Sequence, residues 1–123
     1  DKKNTAIKFK DNCEISKKIL KSKINSILDN GQKICGYGAT SKSTTILNFC
    51  EINFNHIDFI VDNTPEKQGL VTPGSHIPIF EISKFHQSAI KYVFLFAWNH
   101  REEIIQKETG FINKGGKFFD HIF

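Results

Sequence analysis

The sequence contains no methionine and opens on Asp1, so it reads as a fragment or trimmed piece of a longer polypeptide, with some of the chemistry residing outside it. It also lacks any apolar run near the roughly 18–20 residues that a membrane span needs. Its lysine-rich start is not followed by the apolar block of a secretory signal. A cytoplasmic location is therefore expected. Paired metal-binding and redox motifs are missing as well. Cys13, Cys35 and Cys50 are odd in number and make no CxxC, and His56, His76, His86, His100 and His121 make no HxxxH or HxH pair. No metal site is expected, and the three cysteines read as small buried thiols. Nothing matches the GxxxxGK[ST] of a P-loop, and there is no internal repeat or low-complexity tract.

What is present suits one soluble globular domain, residues 1–123, around one core. The chain is 39% hydrophobic and 24% charged, and twelve phenylalanines supply large core side chains. Its net charge of +4 is unevenly spread. Residues 1–23 hold eight lysines against Asp1, Asp11 and Glu14, which is +5 and leaves −1 for the rest. A lysine-rich helix face turned to solvent explains this better than a nucleic-acid surface, which would interleave a series of aromatic stacking platforms.

Ile15, Ile19, Leu20, Ile24, Ile27 and Leu28 recur at helical spacing, which predicts an amphipathic helix over about 12–30. Asp11 and Glu14 resemble a start box, and Gly31 sits where a left-handed cap would end the helix. Residues 1–31 thus form an N-terminal helical segment, and residues 32–123 a sheet with flanking helices. Strands are expected at 33–37, 56–62, 77–80, 92–97 and 117 to about 122, with helices at 40–50 and 101–107. The run at 92–97 (YVFLFA) is apolar on both faces and should be central. Alternating strands and helices predict an α/β, Rossmann-like three-layer domain. Its five-stranded, mainly parallel sheet should run in the order 3-2-1-4-5, with a ligand crevice at the switch point beside the first and fourth strands. The long irregular stretch 63–76 is of a length that often carries function.

Three segments converge on that crevice. Gly36-Tyr37-Gly38-Ala39-Thr40-Ser41-Lys42 follows the first strand as GxGxxS, a partial dinucleotide fingerprint with Ser41 in place of the third glycine. Its glycines permit a tight turn, and the helix N-terminus offers N–H groups to an anion over Ala39 to Lys42. Asp62 lies 24 residues beyond Gly38, either as an acceptor for ribose hydroxyls or as the residue that opens the turn through Asn63, Thr64 and Pro65. Lys42 and Lys67 could supply positive charge. Trp98, Asn99 and His100 end the fourth strand, where a ring, an amide and an imidazole suit a base or sugar, although Asn99 also fits a helix cap. No carboxylate or nucleophile is spaced to partner His100, so no catalytic residue is expected here.

Taken in order, GYGATSKSTTILNFC, IDFIVDNTPEKQG, PGSHIPIF, FAWNHREEII and GGKFF resemble the C-terminal domain of SAM-dependent sugar C-methyltransferases over about residues 30–123. The resemblance implies a parent enzyme with an N-terminal zinc-binding region, a central SAM-binding domain and this domain behind them. A nucleotide-linked keto-deoxysugar, typically a dTDP-sugar, would sit between the last two. SAM and the catalytic acid/base groups would belong to the central domain, with no cofactor on this chain. Two alternatives stand beside it: an independent NAD- or CoA-binding module, and the nucleotide-sensing domain of a sugar acetyltransferase, where a DNxPxKxG loop also follows the second strand.

Overall fold

The computed structural model describes residues 2–120, apart from the side chains of residues 2–12 and of Trp98. His121 and Ile122, at the expected end of the last strand, lie outside the described residues. Helix α1 (Lys2–Asp29) begins well before residue 12, because no glycine or proline interrupts residues 2–11, and Asp11 and Glu14 fall inside it. Gly31 stops it as expected. At φ +77° its N–H donates to Leu28 O and that of Gln32 to Ile27 O, a Schellman pair that satisfies two carbonyls of the last turn. Leu20, Ile24 and Ile27 form the buried stripe. Each contributes about 1.5–3 kcal/mol of hydrophobic burial before entropy is counted. Ile15 and Ile19 are 55% and 54% exposed, since at 3.6 residues per turn they stand about 100° or more around α1 from the middle of that stripe, which instead continues through half-buried Cys13, Ser16 and Lys17. Cys13 is half-buried, whereas Cys35 and Cys50 are buried.

Five strands form one parallel sheet in the order β3-β2-β1-β4-β5, the predicted topology: β1 (Ile34–Tyr37), β2 (Phe59–Val61), β3 (Ile79–Phe80), β4 (Tyr92–Leu95) and β5 (Lys117–Phe119). The second strand is shorter than expected because the N–H groups of His56 and Ile57 turn back to Asn53 O. The fourth ends at Leu95 because the next two N–H groups both converge on Tyr37 O.

Side-chain alternation along the strands divides the interior in two. Ile34, Ile60, Phe94 and Phe96 pack under α1 and α2 (Ser41–Phe49), where the rings of Phe94 and Phe96 stack at 4.2 Å. Cys35, Tyr37, Val61, Val93 and Leu95 face α3 (Ile82–Gln87) and α4 (Arg101–Lys107), with Phe111 of α5 (Thr109–Asn113) against them. The chain thus builds three layers. Helices α3 and α5, of six and five residues, have no counterpart in the sequence reading; neither spans two turns, so neither shows helical periodicity.

Candidate functional site

The C-terminal ends of β2, β1 and β4 meet at Gly38. Its N–H donates to Val61 O at 2.8 Å, while Tyr37 O accepts from Phe96 and Ala97 at 3.0 and 3.3 Å. Gly38 has φ +97°, and a Cβ built there would lie 2.8 Å from Ala97 Cβ. Gly36 is equally confined, since its Cβ would meet Ile60 Cγ1 and the Phe96 ring, both at 2.8 Å. Both glycines are therefore demanded by protein packing. Neither needs a ligand to explain it.

Asp62 ties the first two segments together. One carboxylate oxygen accepts the Ala39 N–H at 2.6 Å and the other accepts the Thr64 N–H at 2.8 Å, an Asx turn that opens the loop after β2. Gln68 Nε2 donates to Asp62 O at 2.9 Å, and Lys67 Nζ donates to Ala39 O at 2.6 Å. Burial opposes ionisation of Asp62. The hydrogen bonds from Thr64 and Ala39 and the nearby Lys67 charge outweigh it and hold the carboxyl below its ordinary range.

The first turn of α2 is capped from within. Thr40 is its N-cap and accepts the Ser43 N–H through Oγ1 at 3.1 Å. The anion site expected over Ala39 to Lys42 is thus narrower, because the Ala39 N–H is spent on Asp62. Ser41 and Lys42, whose N–H groups have no intrahelical partner, are exposed and, contrary to expectation, do not line the cavity between this turn and α4. The buried residue of this turn is Ser43, two residues beyond the GxGxxS match, and its hydroxyl donates to Thr40 O.

Between these segments and α4 lies a cavity of about 430 Å³. Tyr37, Gly38, Thr40, Asp62, Asn63, Lys67 and His100, all expected site residues, line it. Gly36 and Ala39 lie beneath in the fold. Asn99 is exposed in a neighbouring depression, and the side chain of Trp98 lies outside the described residues. Thr64, Ile82, Glu103, Ile104 and Lys107 also line the cavity and were not expected. Four cavity residues, His100, Glu103, Ile104 and Lys107, are spaced three or four apart, so one helix face would have pointed to them once His100 was placed.

The chemistry offered is binding. Lys67 and Lys107 bring positive charge and Asp62 and Glu103 negative charge, with both Asp62 oxygens engaged by main-chain N–H groups; Asn63, Thr64 and His100 bring hydrogen-bonding groups, and Tyr37, Val61, Ile82 and Ile104 form an apolar wall. Burial, reinforced by Asp58, pushes the Cys35 thiol up to about 12, so it offers no thiolate near neutrality. Among the described residues no cluster of three or more His, Cys, Asp or Glu is arranged for a metal ion. No described helix is long and apolar enough to cross a membrane.

Comparison with known proteins gives this geometry a family. Over 95 residues the chain is 36% identical to the C-methyltransferase NovU of Streptomyces niveus, an alignment covering 77% of this chain and 23% of that protein. The family profile of the C-methyltransferase C-terminal domain matches residues 1–122, and the chain belongs to that family.

Proposed function

We propose that this chain is the part of a SAM-dependent C-methyltransferase that grips a nucleotide-linked keto-deoxysugar, with dTDP as the carrier, at the cavity beside Gly38. SAM and the acid/base groups sit on another domain of the same parent enzyme, which works in the cytoplasm. There, proton abstraction beside the sugar ketone would give an enolate, and SAM, when bound on that domain, would supply the methyl group and leave as S-adenosylhomocysteine. This chain contributes grip and orientation.

The observation that carries the reading is the pairing of two lysines with an apolar wall in one cavity at the sheet's switch point. An ammonium has three N–H donors, and Lys67 spends one on Ala39 O, which leaves two for a phosphate. Lys107 faces the same space from α4. The apolar wall of Tyr37, Val61, Ile82 and Ile104 suits a deoxysugar face or a base, and Asn63, Thr64 and His100 suit ring hydroxyls. The NAD alternative has less support, because each Asp62 oxygen already accepts a main-chain N–H instead of standing free for ribose.

Calorimetric titration tests this. The chain should bind dTDP or a dTDP-linked sugar weakly and SAM and NAD not at all. Lys67→Ala should weaken dTDP binding about ten-fold, the loss of one charge-assisted phosphate contact. Micromolar binding of SAM or NAD, with dTDP and UDP compounds failing at millimolar concentration, would overturn the proposal.

A further inference from the structure

A cluster of three polar side chains lies under the α3–α4 side of the cavity. Glu108, at the corner between α4 and α5, is only 4% exposed. Its carboxylate oxygens lie 3.0 and 2.9 Å from His86 Nε2, and one of them accepts the Tyr37 hydroxyl at 3.2 Å. The Tyr37 ring is held edge-on by Phe85 and Phe118. Burial and Glu108 together push the Tyr37 phenol well above its ordinary range, so it remains a hydrogen-bond donor.

The cluster joins three elements. Tyr37 ends β1, His86 is in the last turn of α3, and Glu108 follows α4. The same elements wall the cavity, with Tyr37 from β1, Ile82 from α3, and Glu103, Ile104 and Lys107 from α4. Helices of six and seven residues have little cohesion of their own, so their spacing depends on such tertiary ties. A buried carboxylate left without donors is strongly unfavourable, so Glu108 keeps its partners close.

We infer that Tyr37, Glu108 and His86 form a clamp that fixes the distance between α3 and α4 and thereby sets the cavity's grip on its ligand. The inference rests on the reading of that cavity as a nucleotide-sugar seat. Glu108 and His86 are positioning residues; they act through Tyr37, Ile82 and Ile104 and need no contact with the ligand.

The test compares His86→Leu, which removes the donor to Glu108, with His86→Gln, whose amide N–H restores one. The His86 side chain is 51% exposed, so neither change disturbs the core. His86→Leu should weaken dTDP binding about ten-fold, and His86→Gln should stay within about three-fold of the parent chain. Amide hydrogen exchange at residues 104–107 should accelerate in His86→Leu and recover in His86→Gln, with β1 and β4 amides unchanged. Tyr37→Phe, which deletes only the hydroxyl, should accelerate exchange at the same amides. Equal exchange at 104–107 in the parent chain and all three variants overturns the clamp, as does a loss in His86→Leu that glutamine fails to rescue. If the unaltered chain binds no dTDP, the nucleotide-sugar reading falls, and the exchange measurements alone decide the clamp.

Discussion

On one side of the cavity, two hydrogen bonds, from Ala39 N–H to Asp62 and from Lys67 to Ala39 O, lock the turn after β1 to the loop after β2, and two more, from Thr64 and Gln68 to Asp62, brace that loop from within. On the other side, His100 and Glu103 are exposed, with Asn99 just beyond in the neighbouring depression, and α4 is tied down mainly through Ile104 and the Glu108 corner. The first wall is set by its own backbone before any ligand arrives. The second consists of solvated side chains on a short helix whose place is set by Ile104 and the Glu108 corner. Under the proposed nucleotide-sugar reading, the first wall would define where the ligand sits, and the second would tune how tightly it is held.

Removing the fixed wall should have the largest effect. Gly38→Val would place a branched side chain at φ +97° with its Cβ 2.8 Å from Ala97 Cβ. The expected loss is about 3 kcal/mol or more, which corresponds to a fall in the thermal midpoint of roughly 15 °C. Gly110→Ala is the control, since a Cβ there meets nothing within 4 Å. It should leave the midpoint unchanged or raise it slightly. Comparable losses in the two variants would mean that the turn at Gly38 is no more constrained than an exposed helix.

A smaller effect is expected from Asp62→Ala, which strands the N–H groups of Ala39 and Thr64. In urea unfolding near pH 7 it should cost about 1–3 kcal/mol. The folded-state pKa of Asp62 lies below its unfolded value. Its contribution is therefore fully present above the unfolded pKa of about 3.9 and is lost as pH falls through the folded value. The gap between parent and variant should accordingly be widest above pH 4 and close below it. A gap that stays constant down to the acid limit would show that the protonated side chain holds the turn equally well.

The fixed wall is also the more legible one. Two glycines at the end of a strand, an aspartate 24 residues beyond Gly38 and the alternation of elements were enough to bring segments 36–42 and 62–69 to the same end of neighbouring strands, because turn geometry is a local property of the backbone. Which partner Asp62 takes was not legible. Ribose acceptor and turn opener need the same residue at the same place, and only the coordinates show its oxygens on Thr64 and Ala39. Glu108 was invisible for a different reason. In the polar run KETG it resembles a surface residue, and its burial arises from the convergence of β1 and α3 on that corner. Ile15 and Ile19 show the converse, since they are apolar residues on a helix face that no neighbour covers, while half-buried Cys13, Ser16 and Lys17 continue the stripe of Leu20, Ile24 and Ile27.

Asn99 provides the mildest test and addresses the comparison directly. Its sequence position suited either ligand contact or a cap on the following helix, yet the N-cap of α4 is His100 and carries no side-chain cap bond. Asn99 is exposed and opens onto the neighbouring depression. Asn99→Ala should therefore change stability by no more than about 0.5 kcal/mol. Its effect on dTDP affinity in the calorimeter should stay under about three-fold, because a solvated amide exchanges one hydrogen bond for another with water. A ten-fold loss would give this wall the same share in ligand recognition as the Asp62 wall. Specificity would then have to be sought on both sides of the cavity.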